Sequence, residues 1–290
     1  TSAKVLEICT YSAALTGASL TAADAYFETP TRQVSNIREV GPGKTYATIQ
    51  AAITAMTAGD TIYLYSAQYN ETTILTVNKS ATIIGLGFVR IKATGGFQDV
   101  YFQTASSTNS IKGVMFNGGT VTSRLVQADG CSLVIDRCYF DYSKVGVYQA
   151  TNATGKTFTV KNCAFKMTSV ATAQIGVLVA GTGFTTTIRD NKFNSVSATL
   201  LTTSNSFVYL QGQVAPIIDN NLFVDITPTQ FTHINLVSAS GFTTGAAQIT
   251  RNVCITEAVA QYTISLGAEN LHPNNFNGAI IKYNKIVGSL

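Results

Sequence analysis

The 290-residue chain carries only 12% charged residues, 19 Lys and Arg against 15 Asp and Glu, for a net charge of +4. Charge so sparse, with no run of Lys or Arg, lacks the concentrated basic patch that nucleic acid or a membrane surface requires, and no stretch approaches the roughly 20 apolar residues of a membrane span. Two histidines, His233 and His272, and five cysteines without CxxC spacing leave little to build a metal centre from, so neither a metal nor another cofactor is expected.

Residues 1–40 come first and stand apart from the rest of the chain. The segment begins at Thr1 rather than Met, which reads as a processed end, and it shows no strand spacing. Its apolar residues (Val5, Leu6, Ile8, Leu15, Leu20, Tyr26, Phe27) are too many for a solvated tail. It is therefore read as an N-terminal arm that docks on another chain, the alternative being a lid. A short amphipathic helix is next, from Thr48 to Met56. It sets Ile49, Ala52, Ile53 and Met56 on one face, where they can cover the end of a larger apolar structure.

From residue 81 one phrase is written eight times: "ATIIGLGF", "SIKGVMF", "LVIDRCYF", "FTVKNCAF", "TIRDNKF", "IIDNNLF", "QITRNVC" and "AIIKYNKI". Aligned on Phe88, Phe116, Phe140, Phe165, Phe193, Phe223, Cys254 and Ile286, the spacings are 28, 24, 25, 28, 30, 31 and 32. Five residues before each anchor stands a β-branched aliphatic: Ile83, Ile111, Ile135, Val160, Ile188, Ile218, Ile249 and Ile281. A period in the twenties marks a solenoid, whose repeats bury their apolar faces only against their neighbours. Within each phrase the apolar residues alternate and then slip by one at a polar pair, which predicts a strand, a bend and a second strand. Between the phrases lies another strand set: "RLVQADG", "VGVYQA", "IGVLVAG", "FVYLQGQ", "HINLVSA" and "YTISLGA". Two or three short strands per turn predict an all-β, single-stranded parallel β-helix over residues 41–290. At ~4.8 Å per rung it would be on the order of 35 Å tall.

Two residues before the anchor, Leu86, Val114, Cys138 and Cys163 give way to Asn191, Asn221, Asn252 and Asn284. Asparagines at one bend of successive coils can hydrogen-bond the coils above and below. Cys138 and Cys163 share that column, as a disulfide or as two small buried residues in register.

The N-terminal part of this pattern resembles right-handed parallel β-helix proteins of the pectin lyase-like superfamily. The match is carried by Tyr46, Thr48, Ile49, Gln50, Ala52, Ile53, Gly59, Asp60, Thr61, Ile62, Tyr69 and Glu71, with Ala67 where the family has glycine. The resemblance implies a right-handed helix with its first coil capped by the short α-helix. It leaves activity open, since the superfamily holds lyases, hydrolases, esterases, phage tailspikes and adhesins. Enzymes of this kind use carboxylates and cations on the outer surface, and the candidates here are Asp136, Arg137, Asp141, Arg189 and Asp190. The favoured reading of the same charges is not catalytic but a solvated ladder of opposite signs in adjacent coils. The second strand set offers neutral groups instead: Gln127, Tyr148, Gln149, Tyr209, Gln211 and Asn235, residue types that hold sugars by stacking and hydrogen bonds.

The favoured reading is a non-enzymatic structural protein at a virion surface or outside the cell, most like phage members of the superfamily. It would meet other virion or surface chains through residues 1–40, assemble as a homo-oligomer such as a trimer, and take a polysaccharide as ligand. A secreted polysaccharide lyase or glycoside hydrolase, and a cell-surface adhesin or filament subunit, are the alternatives.

Overall fold

The computed structural model describes residues 37–93, 99–103, 107–118, 124–142, 144–167, 174–195, 205–225, 231–238, 246–256, 262–268 and 278–288. The chain divides into two compact units, Thr1–Ile37 and Arg38–Leu290. The arm read from the sequence, with Cys9, lies outside the described residues up to position 36, and the described residues from Arg38 onward belong to the second unit.

The cap forms where the sequence places it. Thr48 is extended and its hydroxyl accepts the Ala51 N–H at 3.2 Å, which starts the helix Ile49–Ala55. Ile49, Ala52 and Ile53 are buried on its inner face, and Met56, at the C-cap, is 1% exposed. Before the helix, residues 38–40 are tied into the first coil. Val40 is buried, and Arg38 donates at 2.9 Å to the buried carboxylate of Asp60. Asp60 also accepts from the Thr57 N–H and hydroxyl at 2.9 and 2.7 Å. Burial raises the pKa of Asp60, but these bonds and the Arg38 charge together hold it below the usual carboxylate range. Among the described residues no helix is long and apolar enough to cross a membrane.

Among the described residues every ladder whose register is resolved is parallel, and the strands form sheets of 17 and 8 strands. The larger sheet is two faces joined by the long strands Asp60–Glu71 and Ala81–Ala93, each of which runs through the bend between them. The first face holds Thr108–Lys112, Ser132–Asp136, Thr157–Lys161, Thr185–Arg189, Val214–Asp219, Gln248–Thr250 and Ile280–Lys282. The second holds Met115–Asn117, Tyr139–Tyr142, Ala164–Met167, Lys192–Ser195, Leu222–Asp225, Val253–Thr256 and Lys285–Gly288. The 8-stranded sheet is the third face, from Leu75–Val77 to Tyr262–Ala268.

In-register stacking builds the core from columns. Ile83, Ile111, Ile135, Val160, Ile188, Ile218 and Ile249 stand one above another, each 1% exposed or less. On the second face Phe116, Phe140, Phe165, Phe193 and Phe223 stack with ring centroids 4.6 to 5.1 Å apart. Rings so close to parallel must be offset to avoid opposing their negative faces. Room for them is made across the core: a Cβ on Gly146 would lie 3.1 Å from the Phe165 ring and 2.7 Å from the Gly176 carbonyl oxygen.

The first phrase departs from the expected alignment. Ile91, not Phe88, pairs with Phe116, and Val89 rather than Leu86 is buried ahead of it. This coil has three extra residues between Ile83 and its anchor, taken up at Gly87 (φ 81°), and they leave Phe88 63% exposed.

The asparagine column is a hydrogen-bonded ladder. Asn191, Asn221 and Asn252 each send a main-chain N–H and a side-chain amide to the Oδ1 of the asparagine one coil on, at 2.9 to 3.0 Å. The same amide donates back to Val160, Ile188 and Ile218 respectively. Cys163 continues the ladder, its N–H donating to Asn191 at 2.9 Å. Cys138 and Cys163 are buried free thiols, which settles the choice between a disulfide and simple packing in favour of packing.

Candidate functional site

The bend between the first and second faces carries four of the five charged candidates, Asp136, Arg137, Arg189 and Asp190. On its near side one outward column runs Lys112, Asp136, Lys161, Arg189, Asp219, Thr250, Lys282. The next residue in each coil is left-handed: Gly113, Arg137, Asn162, Asp190, Asn220, Arg251 and Tyr283 have φ between 51° and 65°. For a residue other than glycine this costs about 1–2 kcal/mol. Stacking offsets the cost. The N–H of Arg137, Asn162, Asp190, Asn220 and Arg251 each bonds to a carbonyl in the following coil at 3.0 to 3.3 Å.

Side chains then tie coil to coil. Asn162 donates to Asp136 at 2.9 Å and Asn220 to Asp190 at 2.7 Å. Within single coils, Arg137 lies 3.6 Å from the adjacent Asp136, and Arg189 lies 3.2 Å from the adjacent Asp190. Arg251 grips Asp219 through two nitrogens, and the Thr250 hydroxyl adds a bond at 2.7 Å. The Arg251 bonds are the main cause that lowers the Asp219 pKa, and the same contact raises that of Arg251.

Of the acid and cation candidates, the structure brings Asp136, Arg137, Arg189 and Asp190 to this one edge. Asp136 and Asp190 are two coils apart, roughly 10 Å of rise, with Lys161 and Asn162 between them. Asp141 is elsewhere, on the second face beside Asn117 and Lys166. A shallow groove runs along the bend, with volumes of 440 Å³ from Asn162 to Val253 and 290 Å³ from Gly87 to Ala164. Its polar walls are this same ladder, whose carboxylates are engaged by Asn and Arg.

The third face presents a different surface. One column there reads Tyr101, Gln127, Tyr148, Leu178, Tyr209, Asn235, Ser265. Four of the sequence candidates, Gln127, Tyr148, Tyr209 and Asn235, are thus aligned. Tyrosines recur at every second coil, so Tyr101, Tyr148 and Tyr209 lie roughly 10 Å apart along the axis. Gln211 sits further along its strand, level with Val237.

Gln149 is a correction. It belongs to the inward column with Ala128 and Val179 and is 0% exposed. Its Oε1 accepts the Gly130 N–H at 3.1 Å and its amide donates to the Cys131 carbonyl at 3.0 Å, so it braces the turn after the neighbouring strand. Gln127 also is not exposed as expected, at 7%. Arg124 covers it, donating to its Oε1 at 2.8 Å and lying 3.9 Å over the Tyr148 ring.

Two members of this surface were missed in the sequence. Tyr101 stands in a three-residue strand, Val100–Phe102, too short to show alternation. Its hydroxyl bonds the Asp129 carboxylate, and burial together with that bond pushes its pKa up to about 12. Arg124 opens its strand and gives no signal of its own.

No family model matches the chain, and no curated protein matches it. Solved structures similar to it include an alginate lyase from Paenibacillus sp., 15% identical over 86% of this chain and 99% of that one, with a TM-score of 0.48. A pectin methylesterase from Aspergillus niger is 16% identical over 86% and 89%, with a TM-score of 0.46. The Dettilon tailspike protein is 12% identical over 89% and 69%, with a TM-score of 0.37. The capped first coil, the parallel stacked faces and the ladder at the bend make this chain a parallel β-helix solenoid.

Proposed function

We propose that this protein is a non-enzymatic column at a virion surface, of the capsid-decoration, head-fibre or tailspike kind, that holds a neutral glycan against its third face. The observation that carries the reading is the alignment of Tyr101, Tyr148 and Tyr209 at alternate coils with Asn235 in the same column. Aromatic rings stack on the apolar faces of sugars, and side-chain amides serve both donor and acceptor hydroxyls. The charges of the bend support it from the other side, since ladder contacts already occupy Asp136, Asp190 and Asp219. Residues 1–40 would attach the column to other virion chains, in an oligomer.

The test is a binding screen on immobilised neutral and acidic oligosaccharides, run beside an assay for unsaturated and reducing sugar ends. Binding to neutral glycans that falls at least tenfold in Tyr209→Ala supports the reading. Release of sugar ends that is lost in Asp136→Asn or Asp190→Asn moves the protein to the enzymes.

A further inference from the structure

The outward column of the third face gains one residue per coil. Tyr101 pairs with Gln127, Gln127 with Tyr148, Tyr148 with Leu178 and Leu178 with Tyr209, so the three rings stand in one line up the face. From Tyr101 to Tyr209 is four rungs, ~19 Å. Two of the rings are held in place. The Tyr101 hydroxyl bonds the Asp129 carboxylate. The Arg124 guanidinium lies 3.9 Å over the Tyr148 ring while it donates to Gln127 at 2.8 Å. Rings fixed in this way lose little freedom when a ligand stacks on them.

The stations between the rings offer much less. Gln127 is 7% exposed and its Oε1 is taken by Arg124, while Leu178 has no hydrogen-bonding side chain. Contact along this line therefore alternates with a period of two coils. A ligand that answers such a surface must present the same apolar face at the same interval. A linear chain of equatorially linked pyranoses, as in cellulose, does so. Each sugar advances by about one strand spacing and is turned over relative to the last. One ring face thus returns at every second sugar, opposite every second coil. Chains with axial linkages coil and leave the line.

We infer that the third face takes a neutral, equatorially linked linear polysaccharide lying parallel to the axis. Its sugars run in register with the coils, and every second one stacks on Tyr101, Tyr148 or Tyr209. This rests on the glycan reading above and adds the linkage geometry and the two-sugar period that the face selects. Five consecutive sugars, one per rung, reach all three rings.

Cello-oligosaccharides of two to six sugars are titrated into the 290-residue chain by calorimetry, beside malto-oligosaccharides, whose axial linkages coil the chain. The expected affinity for the cello series rises in two steps, from two to three sugars and from four to five, by roughly fivefold or more each. The other additions change it little, and the malto series shows no step at five. Tyr148→Leu keeps an apolar side chain in the column, removes the first step and leaves the one at five sugars. Tyr101→Leu, at the end of the line, removes the second step instead. Affinity that climbs evenly with each sugar, steps that survive both substitutions, or a malto series that behaves alike overturns the inference and leaves the glycan reading standing. So does failure of every cello-oligosaccharide when other neutral glycans bind and Tyr209→Ala abolishes their binding. If no neutral glycan binds at all, the glycan reading itself falls, and the inference with it.

Discussion

The side-chain oxygen of Asn221 accepts two hydrogen bonds from Asn191, one from its main-chain N–H and one from its side-chain amide, both at 3.0 Å. Both residues are buried, at 3% and 2% exposure. Neither donor can turn to water if the acceptor is removed. Asn221→Ala therefore leaves buried donors in Asn191 and a buried Ile188 carbonyl without the Asn221 amide. The expected loss is about 2–4 kcal/mol of unfolding free energy, read from urea denaturation. A loss below about 0.5 kcal/mol would mean that the ladder decorates the bend and does not hold it.

Core columns make a second prediction. Ile188→Asp buries an unpaired carboxylate at a position 0% exposed, which costs several kcal/mol, and the variant should not fold. Phe165→Ala removes a ring stacked between Phe140 and Phe193 and should cost about 3–5 kcal/mol while leaving a foldable chain. Circular dichroism and thermal melting check both. A soluble, cooperatively melting Ile188→Asp variant would show that the register is wrong.

His233 sets an acid limit on stability. It is 0% exposed and stacks on Phe207 with centroids 5.6 Å apart. Burial lowers its pKa to about 4, against a smaller opposing pull from Asp225. A histidine in the unfolded chain titrates near 6.5. The unfolded state therefore binds more protons between these values, and stability is full above about 6.5 and falls as pH drops toward 4. The loss from this residue amounts to roughly 3 kcal/mol. Denaturation midpoints measured across that range should decline for the native sequence and decline much less for His233→Phe. Parallel profiles would remove His233 as the cause.

Truncation separates the arm from the column. A chain beginning at Ile37 keeps Arg38 and Val40 and should retain both the β signature and the Tm, while losing its association with other chains. Beginning at Gly41 instead removes Arg38 from the buried Asp60 carboxylate and takes away the buried Val40. Because an unpaired buried carboxylate is costly, that shorter chain should melt several degrees lower. Calorimetry and sedimentation on the two chains decide it. A large drop in Tm already at Ile37 would make residues 1–36 part of the column's stability.

Much of the fold was legible in the residues themselves. Ile188 and Phe193 announce a strand, a bend and a strand because the spacing between them recurs from coil to coil. Asn191, Asn221, Asn252 and Asn284 announce the ladder for the same reason. Phe88 misled because an insertion of three residues shifts the anchor, and a single phrase cannot show which of two apolar residues turns inward. Gln149 misled because alternation gives the two sides of a strand without saying which side faces the core. His233 entered the sequence reading only as an argument against metal, since nothing local marks a histidine as buried.

The sequence by itself determined the coil, its bend and its apolar columns, because those depend on alternation and on neighbours within a few residues. Which outward side chains stand together was decided only by the tertiary structure. Repeats of 24 to 32 residues bring Arg124 over Tyr148, Asn220 to Asp190 and Arg251 to Asp219 only after each coil has settled on the one below. That register is chosen by the buried columns as a whole, where shifting a strand by one residue would turn its core side chains outward. The surface of this protein is therefore written by its interior.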